Sequence, residues 1–353
     1  MNIKKNFPIF LKVVLVILVG GFILAQKAQK PRILVMHSYH TDYPWVIQMD
    51  EGIRRVFEGH QDITVRHYYM DLKNQTSDDF KRTAASTAQL TIKNWKPDVL
   101  IIADDIGQKL VGTQYLNDSS IKIVFCAVNG GVDIYGYDKA DNVTGIFERK
   151  PLAAIRETLL MIAQARGFRP DDVGTKKPRI VFVCDESGSV TAELPGLNSF
   201  DWKGLEWLEP VRVNNFEEWK KAIKEVNSYG YADIILVSDY REFRLPSGEK
   251  EPIPPSEIMA WTEKNSKIPI LGMSLINVYD GGMLAVFTSG YEQGEVAGSM
   301  ALDIVRGKNP KDIPFVETKQ FLISVRKSST ENRGLPIPAI YEAFARATEN
   351  FYE

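Results

Sequence analysis

The stretch that decides the fold is Arg32-Ile-Leu-Val-Met-His-Ser-Tyr-His-Thr-Asp-Tyr-Pro-Trp45. Its continuous apolar run after one charge predicts a β-strand that is covered on both faces. The polar residues that follow predict a turn, and Asp42 and Pro44 are typical of the first positions of a helix. In open α/β sheets, ligands bind beyond the carboxyl ends of such strands, where the next helix begins. The stretch therefore predicts a parallel sheet and the edge of that sheet at which a site lies.

The same design occurs a second time along the chain, in Arg179-Ile-Val-Phe-Val-Cys-Asp-Glu-Ser-Gly-Ser-Val190. Two further predicted strands also correspond to each other. Residues 98–105 and residues 233–240 both begin with Asp, continue as an apolar run and reach another Asp at the end of that run. Any α/β protein repeats strand-turn-helix units. Here, however, a strand that opens with Arg is followed by a strand that opens with Asp, in the same order in both halves of the chain. The sequence therefore predicts two α/β lobes, each a doubly wound parallel sheet with helices on both faces.

Length and composition agree with a two-lobed globular protein. The chain has 353 residues, of which 44% are hydrophobic and 25% charged, enough for two cores. A net charge of −2 gives no reason to expect a nucleic-acid partner. Cys126 and Cys184 each end an apolar strand, one in each lobe, which favours buried free thiols over a disulfide.

The N-terminus predicts export from the cytoplasm. Lys4, Lys5 and Lys12 precede the apolar run 13–25, as in a secretory signal. The small residues that a cleavage site requires are poorly placed around Ala25 and Ala28, so an uncleaved anchor in contact with the membrane is the alternative. We therefore interpret residues 1–28 as a signal peptide or signal anchor, with the rest of the chain in the periplasm or another extracytoplasmic space.

Motifs of enzymes, cofactors and metal sites are not found in the sequence. It contains no glycine-rich phosphate loop, no Gly-x-Ser-x-Gly and no His-Glu-x-x-His. His37 and His40 could ligate a metal ion, but the other two histidines, His60 and His67, lie apart in the sequence. We therefore predict no catalytic residues, no cofactor and no metal. A hydrolase that uses the acids at the strand ends ranks third among the functions considered.

Several further motifs carry a resemblance to a known family. The chain resembles the extracytoplasmic substrate-binding proteins of ABC transporters with the type I periplasmic-binding fold, in the group that includes aromatic-amino-acid binders. The motifs span nearly the whole chain after the N-terminal segment. Besides the opening strand and helix, they are Asn142-Val-Thr-Gly145 before Pro151, Gly282-Met-Leu-Ala285, Tyr291-Glu-Gln-Gly-Glu-Val-Ala-Gly298, Gly307-Lys-Asn-Pro-Lys-Asp-Ile-Pro314 and Gly334-Leu-Pro-Ile-Pro338.

The resemblance implies how the chain divides into lobes. Crossings between the lobes are expected near Phe147, Gly282 and Pro314. Lobe one would contain residues 31–147 and 284–312, and lobe two residues 148–283 and 313–338. Residues 339–353 would form a C-terminal helical tail.

Polar and aromatic residues that follow the predicted strands are the candidate ligand-binding residues. Ser and Gly at helix starts suit a carboxylate, Asp suits an ammonium or hydroxyl groups, and aromatic rings suit a flat ring. A zwitterion such as an amino acid would use all three, although each residue could instead only cap a helix. The candidates are Ser38, Tyr39, Tyr43, Asp104, Asp105 and Asn129 in lobe one, and Asp185, Ser187, Ser189, Asp239, Tyr240, Ser274 and Asp280 in lobe two.

The resemblance implies a solute-binding protein that captures a small polar ligand, such as an amino acid or an aromatic compound, between two hinged lobes. It would deliver this ligand to the permease of an ABC transporter. The forms His37-Ser-Tyr39 and Tyr43-Pro-Trp45 resemble a branch found as the outer sensory domain of membrane kinases. The alternative is therefore an extracytoplasmic sensor module that signals to a membrane kinase or similar partner.

Overall fold

The computed structural model describes residues 12–21, 30–169, 176–228, 230–241, 243 and 253–353. Most of the predicted signal or anchor segment, 1–28, lies outside these ranges, and its residues 12–21 are helical. None of the helices in the described ranges has the length and hydropathy that a membrane span requires.

Strands and short helices alternate along most of the chain. The strands are β1 (Arg32–His37), β2 (Thr64–Tyr69), β3 (Val99–Ala103), β4 (Lys122–Val128), β5 (Val143–Phe147), β6 (Arg179–Cys184), β7 (Glu206–Trp207), β8 (Val211–Arg212), β9 (Ile234–Val237), β10 (Ile270–Gly272), β11 (Leu284–Thr288), β12 (Val316–Glu317), β13 (Phe321–Arg326) and β14 (Phe351–Tyr352). The helices are α1 (12–21), α2 (Pro44–Phe57), α3 (Asp78–Trp95), α4 (Asp105–Leu110), α5 (Leu152–Ala165), α6 (Gly188–Ser199), α7 (Phe216–Val226), α8 (Pro255–Asn265), α9 (Leu275–Tyr279), α10 (Gly290–Val305), α11 (Lys327–Asn332) and α12 (Ala339–Ala347).

The first sheet has six strands in the order β12-β5-β4-β3-β1-β2, and all of its pairs are parallel. β1 lies in its middle, with Ile33 opposite Val65 on one side and Val99 on the other. Because helices cover both faces, β3 is buried along its whole length, which is why its sequence is a continuous apolar run.

The second sheet has the order β14-β13-β11-β10-β9-β6-β7, and β8 pairs with the other end of β6. Its pairs are parallel except β11 with β13, which is antiparallel. Two mostly parallel α/β sheets in one chain confirm the predicted fold class. Both cysteines are buried and free, as predicted.

Two segments lie in a different lobe from the one predicted from the sequence. β11 pairs with β10 and β13, so residues 284–288 lie in the second sheet, whereas they were assigned to lobe one. β12 pairs with β5, so residues 316–317 lie in the first sheet, whereas they were assigned to lobe two. The chain therefore crosses after β5, between β11 and α10, and after β12. The physical reason is that strand pairing, not sequence order, defines a lobe.

Two local predictions are also corrected. Asp42 does not cap α2, because the residue at the cap position is Tyr43 and no side chain makes the capping hydrogen bond. Pro44 does occupy the first turn, where its missing N–H leaves no donor unpaired. The C-terminal tail is helical only over α12, and β14 after it extends the second sheet beside β13.

Candidate functional site

A cavity of about 80 Å³ lies between the two lobes, at the carboxyl ends of their strands. This is the edge at which an α/β sheet places its ligands, because the loops and helix starts converge there. Both lobes and a crossing segment contribute to its lining, which is Tyr39, Tyr43, Trp45, Lys73, Asp104, Asn129, Glu148, Lys150, Ser189, Glu193, Ser238, Asp239, Met273, Ser274, Leu275, Ile276, Phe287 and Thr288.

Asp104 is the most unusual residue of this lining. It follows β3 with φ 66° and ψ 153°, a backbone conformation that side chains other than glycine rarely adopt. It is 6% exposed, and its Oδ2 has no hydrogen-bond partner among the described residues. Burial, and then the charges of Glu148 and Asp105, raise its pKa well above the usual value. Such an oxygen can accept a hydrogen bond from a bound cation.

Aromatic side chains form one wall beside Asp104. The rings of Tyr39 and Tyr43 meet edge to face, with centroids 5.3 Å apart, and Trp45 lines the same side of the cavity. Burial raises the pKa of both tyrosines, so both remain neutral hydroxyls at ordinary pH. Together these residues give an aromatic wall against which a ring can pack.

An ion pair joins the lobes across the cavity. The Nζ of Lys73, in the loop after β2, lies 3.0 Å from Oδ2 of Asp239, which follows β9 in the second sheet. Burial favours the neutral form of Asp239, but the charge of Lys73 and its hydrogen bond outweigh this and lower the Asp239 pKa to about 2. Lys73 also lies over the Tyr39 ring, 5.2 Å from its centroid.

A second charged cluster lies where the chain first crosses between lobes. Lys150 lies 3.2 Å from Oε1 of Glu148 and 3.1 Å from Oε1 of Glu193, which is on α6. Burial raises the pKa of Glu193 although Lys150 acts in the opposite direction. The cluster places two carboxyl groups around one ammonium.

Comparisons with known proteins identify the fold. Residues 202–348 match the family model described as ABC transporter substrate binding protein. Solved structures match over most of the chain. One is a conserved domain protein from Vibrio cholerae, at 16% identity and TM-score 0.65, over 92% of this chain and 100% of that one. The chain has the type I periplasmic-binding fold. The resemblance predicted from the sequence is thereby confirmed.

Two further structures with this periplasmic-binding fold are similar. One is an ABC domain in complex with L-Trp from Streptococcus pneumoniae, at 15% identity and TM-score 0.63, over 90% of this chain and 98% of that one. The other is the ligand-free, open structure of a substrate binding protein with adhesive properties from Clostridium difficile, at 17% identity and TM-score 0.63, over 91% and 98%. Among curated proteins, none matches the chain.

The periplasmic-binding fold brings seven of the thirteen candidate residues to the cavity lining. They are Tyr39, Tyr43, Asp104, Asn129, Ser189, Asp239 and Ser274. The other six are not in the lining: Ser38, Asp105, Asp185, Ser187, Tyr240 and Asp280. The binding role of each of the thirteen residues stays a prediction.

Those six make contacts within their own lobes. The Ser38 hydroxyl donates to the Ala103 carbonyl, and Asp105 accepts from the Asn129 and Gly130 N–H groups. Ser187 caps α6 through its hydroxyl, while its N–H donates to Asp185. Asp280 accepts from the Tyr240 hydroxyl and the Arg241 guanidinium. These are the capping and bracing roles that polar residues at strand ends also serve.

Four charged lining residues were not among the candidates. Glu148 and Lys150 directly follow β5, so their position at a strand end was a signal that could have found them. Lys73 lies in a polar loop and Glu193 on the second turn of α6, where the sequence gives no signal of a site. Their approach to the cavity depends on how the two lobes are placed against each other.

The histidines include one group with the chemistry of a metal site. Ligand atoms of His37, Asp50 and His67 all lie within 4.8 Å of one another. Both imidazoles are hydrogen-bond neighbours of Asp50 Oδ1, at 2.8 and 2.7 Å, and the Tyr69 hydroxyl donates to Oδ2. The sequence did not indicate this group, because β1 and β2 pair only in the fold. These hydrogen bonds account for the group without a metal, and the prediction of no metal stays a prediction.

Proposed function

We propose that the protein is an extracytoplasmic solute-binding protein that captures a small polar ligand between its lobes and delivers it to an ABC transporter. The family match and the fold support this function. Solved structures with the same fold were determined with L-Trp, with D-arabinose in a protein from Agrobacterium radiobacter, and with 5-methylthioribose in one from Thermotoga lettingae. An amino acid or an aromatic compound is the ligand class that we expect from the sequence.

The observation that carries the proposal is Asp104 in the interlobe cavity. A buried carboxyl with an unpartnered oxygen and a strained backbone is unfavourable for stability, and such strain is typical of functional sites. A ligand that donates to this oxygen restores the missing hydrogen bond. The same ligand would contact residues of both lobes and so favour the closed arrangement.

Ligand binding can be tested by a thermal-shift screen of the full-length protein against amino acids, amines, sugars, organic acids and nucleobases. A ligand at a hundredfold excess over its Kd stabilises the folded state by about 2.7 kcal/mol. In a two-lobed chain this raises Tm by at least a degree or two. Any class of small molecule that gives a saturable shift supports the proposal. No shift with every class, confirmed by the absence of a bound molecule in native mass spectrometry, would contradict it.

The delivery step needs a separate measurement. A permease and ATPase encoded beside the protein, reconstituted in liposomes, should hydrolyse ATP faster when the liganded protein is added than when the unliganded protein is added. A response of a neighbouring membrane kinase instead would favour the sensor alternative.

A further inference from the structure

The lining of the cavity between the lobes contains more acidic than basic side chains. It contains four carboxyl groups and two lysines, which gives a formal charge of −2 when all six are ionised. A concave site of this sign attracts cations and repels anions. The six groups are Asp104, Glu148, Glu193, Asp239, Lys73 and Lys150.

Both lysines are already paired with acids. Lys73 is bound to Asp239, and Lys150 lies between Glu148 and Glu193. If a ligand carboxylate formed an ion pair with either lysine, a buried acid would lose its cationic partner, which is strongly unfavourable. Among the described lining residues, therefore, neither lysine is available to a ligand carboxylate.

The start of α6 is another position at which a carboxylate could bind, because helix N-termini offer free N–H groups. Protein carboxylates already lie there. Asp185 accepts from the Ser187 N–H at 3.0 Å, and the Ser189 hydroxyl donates to Asp239 at 3.4 Å. Their charges repel a ligand carboxylate at this helix start.

An ammonium group, unlike a carboxylate, meets favourable partners in the cavity. Asp104 has an unpartnered oxygen in the cavity lining, and Tyr39, Tyr43 and Trp45 lie on the same side. Aromatic faces attract cations and also stack on flat rings. Extending the proposed function, on which this step rests, we infer that the ligand is an arylalkylamine. It has a primary ammonium bound by Asp104, an alkyl chain that links this ammonium to an aromatic ring, and no carboxylate.

Matched pairs of ligands test the inference directly. Isothermal titration of the full-length protein would compare tryptamine with L-tryptophan and tyramine with L-tyrosine, which differ only in the carboxylate. Indole-3-propionate, which has the ring and a carboxylate but no amine, is the third kind of probe. Each amine should bind at least about tenfold tighter than its amino acid, because the carboxylate meets four acids while both lysines of the lining are already paired. The propionate should not bind measurably.

Variants identify the group that holds the ammonium. Asp104→Asn should weaken tryptamine binding at least about tenfold, because it removes the charge and keeps the shape. Asp138→Asn, at an exposed acid outside the cavity, is the matched control and should leave binding unchanged. Since burial raises the pKa of Asp104, tryptamine binding should also release a proton at any pH at which Asp104 is protonated in the unliganded protein. Titrations in buffers of different ionisation enthalpy measure this release, which Asp104→Asn should abolish.

The outcomes separate the inference from the proposed function. Amino acids that bind as tightly as the amines, or tighter, would overturn the ligand class and leave the solute-binding function standing. Tryptamine binding that is equally tight in folded Asp104→Asn would overturn the role of Asp104. If no small molecule of any class binds, the proposed function fails and the inference fails with it. Should Asp104→Asn not fold, the comparison of ligand pairs on the unsubstituted protein still decides.

Discussion

Asp185 lies at the end of β6, with one carboxylate oxygen bound to the Ser187 N–H and the other buried without a partner among the described residues. Burial, and then the charge of Asp239, raise its pKa from 3.8 to about 6. The folded protein therefore binds a proton at this position over a pH range in which the unfolded chain does not. Linkage then requires that its contribution to stability falls as pH rises from about 4 to about 6.

The variant Asp185→Asn tests this residue. It should raise the free energy of unfolding near pH 7 by roughly 1–3 kcal/mol, because a buried charge is replaced by a neutral amide that can still accept from Ser187. Near pH 4, where Asp185 is protonated, the variant and the original should differ little. Urea denaturation at both pH values measures this, with exposed Asp138→Asn as the control. A loss of stability of the same size at both pH values would contradict the pKa argument.

At the scale of elements, α2 and α10 pack closely against each other in the first lobe because glycines lie at their contact. A Cβ on Gly294 would overlap the Met49 carbonyl, and one on Gly52 would overlap the Tyr291 carbonyl. This contact fixes α10, the helix after the second crossing between the lobes, against α2, the helix after β1. The Gly-x-x-x-Gly spacing of residues 294–298 therefore serves helix packing.

Substitution of two helical glycines distinguishes packing from helix propensity. Gly294→Ala should lower the free energy of unfolding by about 1–3 kcal/mol, since the methyl group has no space between the helices. Gly196→Ala, in α6 with open space around it, should leave stability unchanged or raise it by up to about 1 kcal/mol. Thermal and urea denaturation of both variants provide the measurement. Equal effects of the two substitutions would show that close packing at Gly294 is unimportant.

For the whole molecule, the Lys73–Asp239 ion pair holds the lobes together across the cavity. Both side chains are largely buried, at 16% and 12% exposure, so the pair is more than a screened surface contact. If only the lysine is removed, Asp239 is left buried without its cation, and opening of the lobes lets water reach it.

The expected result is that Lys73→Met shifts the unliganded protein toward an open form with a larger radius of gyration in small-angle X-ray scattering. The double variant Lys73→Met with Asp239→Asn should open less than Lys73→Met alone, because it leaves no unpaired buried charge. Lys220→Met breaks an ion pair within α7, between Lys220 and Glu217, and serves as the matched control. Unchanged scattering of Lys73→Met would mean that the ion pair does not contribute to closure.

The sequence by itself determined the strands and helices of this protein and their arrangement in parallel sheets. Short continuous apolar runs such as 99–103 are typical of strands covered on both faces, and their alternation with amphipathic helices implies parallel sheets. Seven of the candidate residues reach the cavity for the same reason, because carboxyl ends of parallel strands share one edge. These properties follow from local periodicity, which is fully present in the sequence.

Only the tertiary structure decided which strands share a sheet and which charges meet. β11 and β12 were assigned to the wrong lobes because strand pairing joins residues far apart in the chain, as for Leu284 with Val325. The pairing of Lys73 with Asp239 spans 166 positions, and the sequence carries no local mark of it. The unpartnered oxygen of Asp104 depends on the same long-range arrangement, because burial and neighbouring charges set its ionisation.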